Sequence, residues 1–259
     1  MDKKLFIIKA GTTFSDTKRE YGDFDLWTIR GLGGVDDVIR TIDAEHGAPL
    51  PDVNECAGVI VTGSHDMVTD NLPWSVRIAE WIPALLDKEV PFLGICYGHQ
   101  LLAHALGGKV GFHPEGTEAG TVDINLLPEC AADTLFHSLP STFPVHVTHS
   151  QTVIILPKGA VRLAMNPFEP NHAFRIGKCA WGVQFHPEYT SDIMRSYIIN
   201  EKDDLIHEGI NIKPILDSVK ETPESASILR RFNEIVMRRS HMKTLSLNIP
   251  DNLAARIND

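Results

Sequence analysis

The chain has 259 residues, of which 43% are hydrophobic and 22% charged, a balance that allows a sizeable core and sets disorder aside as the default. Its formal charge of −10, from 24 basic and 34 acidic residues, argues against a nucleic-acid binder, and no basic amphipathic stretch or bilayer-length apolar run suggests a membrane. The four cysteines (Cys56, Cys96, Cys130 and Cys179) stand far apart with no CxxC pair, which argues against a thiolate zinc site or a disulfide framework and for a reducing cytoplasm.

The N-terminus offers only four apolar residues between Lys4 and Lys9, too few for a signal-peptide core. Those four, Leu5–Ile8, read as a first strand. The segment Gly11–Gly34 that follows is longer and richer in charge than a plain strand-to-helix turn; it reads as a loop whose Asp16, Lys18, Arg19 and Glu20 either meet a substrate or partner or are simply solvated, the two readings standing level. Ala57–Val61 reads as a second strand ending in Thr62-Gly63-Ser64. Trp74–Asp87 reads as a helix strained by Pro83, Val90–Ile95 as a third buried strand, and Gln100–Leu106 as a helix stopped by Gly107-Gly108. Strands and helices alternating in this way predict an α/β fold, an open and mostly parallel sheet with helices on both faces.

The middle of the chain changes character. Thr121–Leu127, Val145–Val147, Val153–Leu156 and Ala160–Met165 are short and separated by turn residues, which predicts a few added antiparallel strands. Cys179–Phe185 is a further strand, and Ile193–Ile199 and Ile228–Met237 are the clearest later helices. Near the end, Leu245–Ile249 alternates like a strand and Asp251 suits a helix cap, but the plainer reading of a flexible or appended tail is preferred.

Two short stretches carry chemistry. In Pro91-Phe-Leu-Gly-Ile-Cys96-Tyr-Gly-His-Gln100 a buried strand meets a helix at a cysteine with glycine two residues to either side, the form of a nucleophile elbow. Glycine leaves room where strand and helix crowd together, and the helix N-terminus favours thiolate. The plain alternative is a buried structural cysteine. In Val183-Gln-Phe-His186-Pro-Glu188, positions i and i+2 of an extended strand end would face the same side, placing a carboxylate beside an imidazole. A surface turn is the plain alternative there. Strand ends of a parallel sheet share one edge, which offers a way to join Cys96 to His186 across the chain.

Together, GICYGHQLLAHALGG and the later GVQFHPE resemble the class I, triad-type glutamine amidotransferases, and the Cys-Tyr-Gly form is similar to the amidotransferase part of GMP synthetases and their stand-alone relatives. The resemblance covers about residues 5–200. It implies a flavodoxin-like layered fold, with residues 1–200 as the catalytic domain, 201–240 as a helical extension and 241–259 as a tail outside the chemistry. It also implies Cys96 as nucleophile, His186 and Glu188 as its partners, and oxyanion-hole amides from Ser64 and Tyr97. Glutamine contacts would come from Gly63, Gln100, His149, Ser150 and Gln151, with no metal or cofactor. The family's Gly-Gly-Pro is Gly63-Ser64-His65 here, so the Ser64 side chain should narrow the pocket.

The implied activity is hydrolysis of glutamine to glutamate and ammonia for a synthase partner. The alternative is hydrolysis of a γ-glutamyl peptide without a synthase, and a reading from another class is a non-catalytic binding protein. Neither a G-x-x-x-x-G-K-[ST] loop nor the Ser-Gly-Gly-x-Asp-Ser loop of the synthetase ATP domain occurs in the sequence, so an ammonia acceptor would belong to a separate subunit.

Overall fold

The computed structural model describes residues 3–34 and 38–247, with side chains through residue 240. In chain order the elements are β1 (Lys4–Lys9), α1 (Ser15–Tyr21), α2 (Phe24–Gly31), β2 (Ile39–Asp43), β3 (Cys56–Val61), α3 (Pro73–Asp87), β4 (Phe92–Ile95) and α4 (Tyr97–Ala105). Next come β5 (Lys109–Phe112), β6 (Glu118–Leu126), β7 (Thr142–His149), β8 (Gln151–Ile155), β9 (Val161–Met165), β10 (Ala173–Ile176) and β11 (Ala180–Val183). Helices α5 (Ser191–Asn200), α6 (Lys202–His207), α7 (Ile212–Ser218) and α8 (Pro223–Leu247) follow. Among the described residues no helix is long and apolar enough to cross a membrane.

Nine strands form one sheet in the order β2-β1-β3-β4-β11-β10-β9-β6-β7. The first five are parallel. From β11 onward each neighbour is antiparallel. A separate ribbon pairs β5 with β8. This is the expected α/β sheet with added antiparallel strands.

Alternation along β1 shows why the sheet needs cover on both faces. Leu5 and Ile7 join a core with Ile60, Leu93 and Trp181, closed by Ile228, Leu229, Phe232 and Val236 of α8. Phe6 and Ile8 join the opposite core, closed by Ile78, Ile82 and Leu85 of α3 and by Leu101 and Leu102 of α4. Glycine lets α8 approach: a Cβ on Gly58 would lie 2.6 Å from a Val236 methyl, and one on Gly31 would overlap Leu229.

Two expectations change. The segment Gly11–Gly34 is mostly helical, because Asp23 organises it. The Asp23 carboxylate accepts from the amides of Phe24 (2.9 Å) and Thr13 (3.0 Å) and pairs with Lys9 (3.2 Å) and Lys18 (3.0 Å). Toward the C-terminus, α8 runs on through Leu247, so residues 245–247 are helical, neither the strand that their alternation allowed nor the start of a separate tail; the rest of that stretch, and Asp251, lie outside the described residues.

Candidate active site

Strand β4 lies between β3 and β11 and delivers Cys96 to the carboxyl edge of the sheet. The Cys96 amide donates to Val183 O (2.8 Å), so the residue is tied to β11 just as α4 begins. Its φ of 48° and ψ of −96° lie in the left-handed half of the map, a conformation that costs a non-glycine residue about 1–3 kcal/mol. The neighbouring glycines are demanded by space. A Cβ on Gly94 would overlap the Gly98 carbonyl and come within 2.7 Å of the His99 amide. The Cys96 sulfur lies 3.9 Å from Thr148 O and 3.5 Å from the Gln184 amide nitrogen.

His186 and Glu188 sit in a turn just past β11, not in the extended strand end that the sequence suggested. Pro187 turns the chain, and the Tyr189 amide closes back onto His186 O at 3.3 Å. The His186 amide donates to His146 O (2.9 Å) on β7, which fixes the ring's position. His186 Nδ1 donates to Glu188 Oε1 at 2.8 Å, which leaves the buried Nε2 for the Cys96 sulfur, with no nitrogen or oxygen partner among the described residues. Tyr189 stacks on the imidazole, with centroids 4.1 Å apart and planes tilted 21°. Burial opposes a charge on His186, but the Glu188 carboxylate and the Cys96 sulfur outweigh it and hold the imidazole pKa above its ordinary value. Neighbouring imidazoles go the other way. Burial, helped by the charge on His186, lowers His65, and burial lowers His146 to about 4. Of these three imidazoles, His186 alone is pushed toward the charged form, and its carboxylate partner is the reason.

A cavity of about 410 Å³ opens here, lined by Cys96, His186, Ser64, Tyr97, Gln100, His149, Ser150 and Gln151. Glu188 stands behind His186. Gly63 also lies against that ring, where a Cβ would be 3.1 Å from His186 Cε1. As the first residue of α4, Tyr97 has an amide with no partner inside the helix, while its hydroxyl is drawn into the core by Ser75 (2.6 Å). Room for the Ser64 side chain comes from Gly11: a Cβ there would meet Ser64 Oγ at 2.7 Å, and that oxygen accepts from the Asp66 amide (3.1 Å).

Gln100 has less freedom than expected of a substrate contact. Its amide nitrogen already donates to Gln151 O (2.8 Å) and to Gln184 Oε1 (3.1 Å). The turn from β7 to β8 carries His149, Ser150 and Gln151. His149 is clamped between Gln151 O and Glu118 Oε2, both at 3.1 Å, and Glu118 also meets His172 (3.3 Å) and Asn166 (2.6 Å). These partners outweigh the desolvation that opposes the charge on Glu118, and they depress its carboxyl pKa strongly.

The charged residues of Gly11–Gly34 do not reach the cavity. Arg19 pairs with Asp16 at the surface, Lys18 pairs with Asp23, and Glu20 accepts the Tyr21 hydroxyl. Aromatic groups line it instead: Phe14, Phe24, Tyr189, Tyr197 and His65, with His65 packed on Phe14 at 4.3 Å and 3.2 Å from the Tyr197 hydroxyl. None of these, nor Gln184, Glu118 or Glu201, is a site candidate on sequence grounds. Gln184 and Tyr189 flank the HPE tripeptide, which was a usable signal; Glu118 and Glu201 had none. Among the described residues, the one group spaced to hold a metal ion, Asp43, Glu45 and His46, is outside the cavity lining.

The family model for class-I glutamine amidotransferases matches residues 37–204. A glutamine-hydrolysing GMP synthase of Aeropyrum pernix is 35% identical over 69% of this chain and 33% of its own. Gamma-glutamyl peptidase 4 of Arabidopsis thaliana is 28% identical over 89% of this chain and 92% of its own. The chain therefore spans about a third of the length of that synthase and most of that of the peptidase. A glutamine amidotransferase structure from Thermotoga maritima aligns with a TM-score of 0.72 and 25% identity, covering 91% of this chain and 99% of the other.

Proposed function

The chain belongs to the class-I glutamine amidotransferases, enzymes of the cysteine-hydrolase type, and from that premise we propose that it hydrolyses the side-chain amide of glutamine at Cys96 and releases ammonia for a synthase partner. The observation that carries this reading is the strained Cys96 turn facing a cavity shared with His186, which Glu188 holds from behind at 2.8 Å. The Cys96 thiolate attacks the amide carbon, forming the S–C bond, and the oxyanion is held by the Ser64 and Tyr97 amides. His186 gives its proton to the nitrogen as the C–N bond breaks, so ammonia leaves and a γ-glutamyl thioester remains. The neutral imidazole then takes a proton from water as the oxygen attacks. Breaking the C–S bond frees glutamate and restores the thiolate–imidazolium pair.

A second reading is favoured by a specific observation. The γ-glutamyl peptidases match the chain over nearly their whole length, which suits a hydrolase that acts alone on γ-glutamyl peptides. A substrate comparison separates the two. Glutamate release from glutamine at a kcat/KM well above that for γ-glutamyl peptides is expected for the ammonia-delivering role, and the reverse order selects the peptidase. Release from neither class would overturn both.

Glu188→Gln should lower kcat by roughly 10²–10⁴-fold with little change in KM, because the lost charge holds and orients the imidazolium. The pH profile gives the sign. A raised His186 pKa keeps the imidazolium present to higher pH, so removing Glu188 moves the alkaline limb of kcat toward lower pH. An effect confined to KM would make Glu188 a substrate contact instead.

A further inference from the structure

We propose that Glu201 is a specificity residue of this cavity, its carboxylate accepting the free α-ammonium group of the γ-glutamyl substrate. The proposal rests on the γ-glutamyl hydrolase reading above and names the feature by which that site would select its substrate.

Glu201 stands at the joint between α5 and α6, where its amide closes α5 onto Tyr197 O (2.9 Å). Its side chain turns into the cavity and accepts the Thr148 hydroxyl at 2.6 Å. The carbonyl of that same Thr148 lies 3.9 Å from the Cys96 sulfur. One residue therefore separates the sulfur from the carboxylate, a span suited to a substrate that reacts at one end of a glutamyl side chain and carries its amino group at the other. Helix α6 adds Asp204 and, just past the helix end, Glu208 to the same wall, and Glu208 accepts the amide and the hydroxyl of Thr117, each at 3.0 Å.

No lysine or arginine lines the cavity among the described residues. Among the described residues the Glu201 carboxylate is hydrogen-bonded by a neutral hydroxyl alone, and burial raises its pKa, with Asp204 and Glu208 adding to the effect and Thr148 and His186 opposing it. A neighbouring acceptor in the same lining has no donor at all among the described residues. Gln151 is 1% exposed, its amide nitrogen is spent on Thr69 Oγ1 (2.7 Å), and its Oε1 has no partner among the described residues. A buried acceptor without a donor is costly, and an ammonium group offers several donors and the missing positive charge together. A ligand whose free end carried only carboxylate would meet repulsion here.

The test compares ammonia release from glutamine and from Nα-acetylglutamine, which keeps the scissile amide but lacks the ammonium. Wild type should favour glutamine, and Glu201→Gln, which retains an oxygen for Thr148, should lower kcat/KM for glutamine roughly 10- to 100-fold while sparing the acetylated substrate, so that the preference collapses. Thr148→Val, which removes the carboxylate's protein partner but not its charge, should keep the preference, and this holds the test open if Glu201→Gln folds poorly. Equal use of the two substrates by wild type, or an undiminished preference in folded Glu201→Gln, overturns the ammonium contact while leaving the hydrolysis standing. Release from no γ-glutamyl substrate by wild type overturns the hydrolase reading and this contact with it.

Discussion

Cys96→Ser and Cys96→Ala should each cut glutamate release by roughly three orders of magnitude or more while the protein stays folded. The two halves of that result have separate causes. Alanine removes the attacking atom, and serine replaces it with a hydroxyl that His186 would have to deprotonate from a far higher pKa. Folding depends little on the sulfur, whose neighbours are a long 3.9 Å approach to Thr148 O and a 3.5 Å approach from Gln184. The main-chain bond from Cys96 N to Val183 O survives either change, so stability should move by no more than about 1 kcal/mol. Glutamate release and a denaturant melt on the same preparations check both halves. Activity near wild type in either variant would remove Cys96 from the mechanism.

What the sequence discloses about this site follows from where the constraint lies. Cys96 is legible because its surroundings are local: strand, glycine, cysteine, glycine and helix are contiguous, and the steric demand that fixes them is written in adjacent residues. His186 and Glu188 are legible as a pair for the same reason, although a turn and not an extended strand presents them. Strands buried on both faces, such as β1, β3 and β4, show as unbroken apolar runs. Edge strand β2 does not, since Arg40 and Thr41 are exposed and only Ile39 is buried.

Side chains brought in from distant elements leave no local trace. Glu201 meets the site through Thr148, and Glu118 reaches it through His149 from a strand far earlier in the chain. Nor does charge alone reveal which residues of a segment matter. Within Gly11–Gly34, Lys18 pairs with Asp23 and Arg19 with Asp16, while Phe14 and Phe24 from the same segment supply the cavity wall.

Gly98→Val should destabilise the protein by about 1–3 kcal/mol or more and reduce activity beyond what unfolding explains. Gly98 sits in the first turn of α4, and its φ is not positive, so the demand for glycine is one of space and not of conformation. A Cβ there would overlap the Val61 carbonyl and lie 2.9 Å from Val61 Cβ. Val61 ends β3 and leads through Thr62 and Gly63 to Ser64, so relief of the clash must move the turn that borders the cavity relative to Cys96. A displacement near 1 Å at a reacting centre can cost about 10²-fold in rate. Gly98→Ala makes the argument sharper. By helix propensity alone, alanine in place of glycine should stabilise α4 by about 0.5–1 kcal/mol. By the close approach to Val61, the first carbon of any side chain already collides, so Gly98→Ala should also lose stability and activity, and valine should lose more of both. Denaturant midpoints and glutamate release for the two variants decide between these signs. A Gly98→Ala protein that is more stable than wild type and fully active would mean that β3 and α4 do not meet as tightly as the Cys96 turn requires.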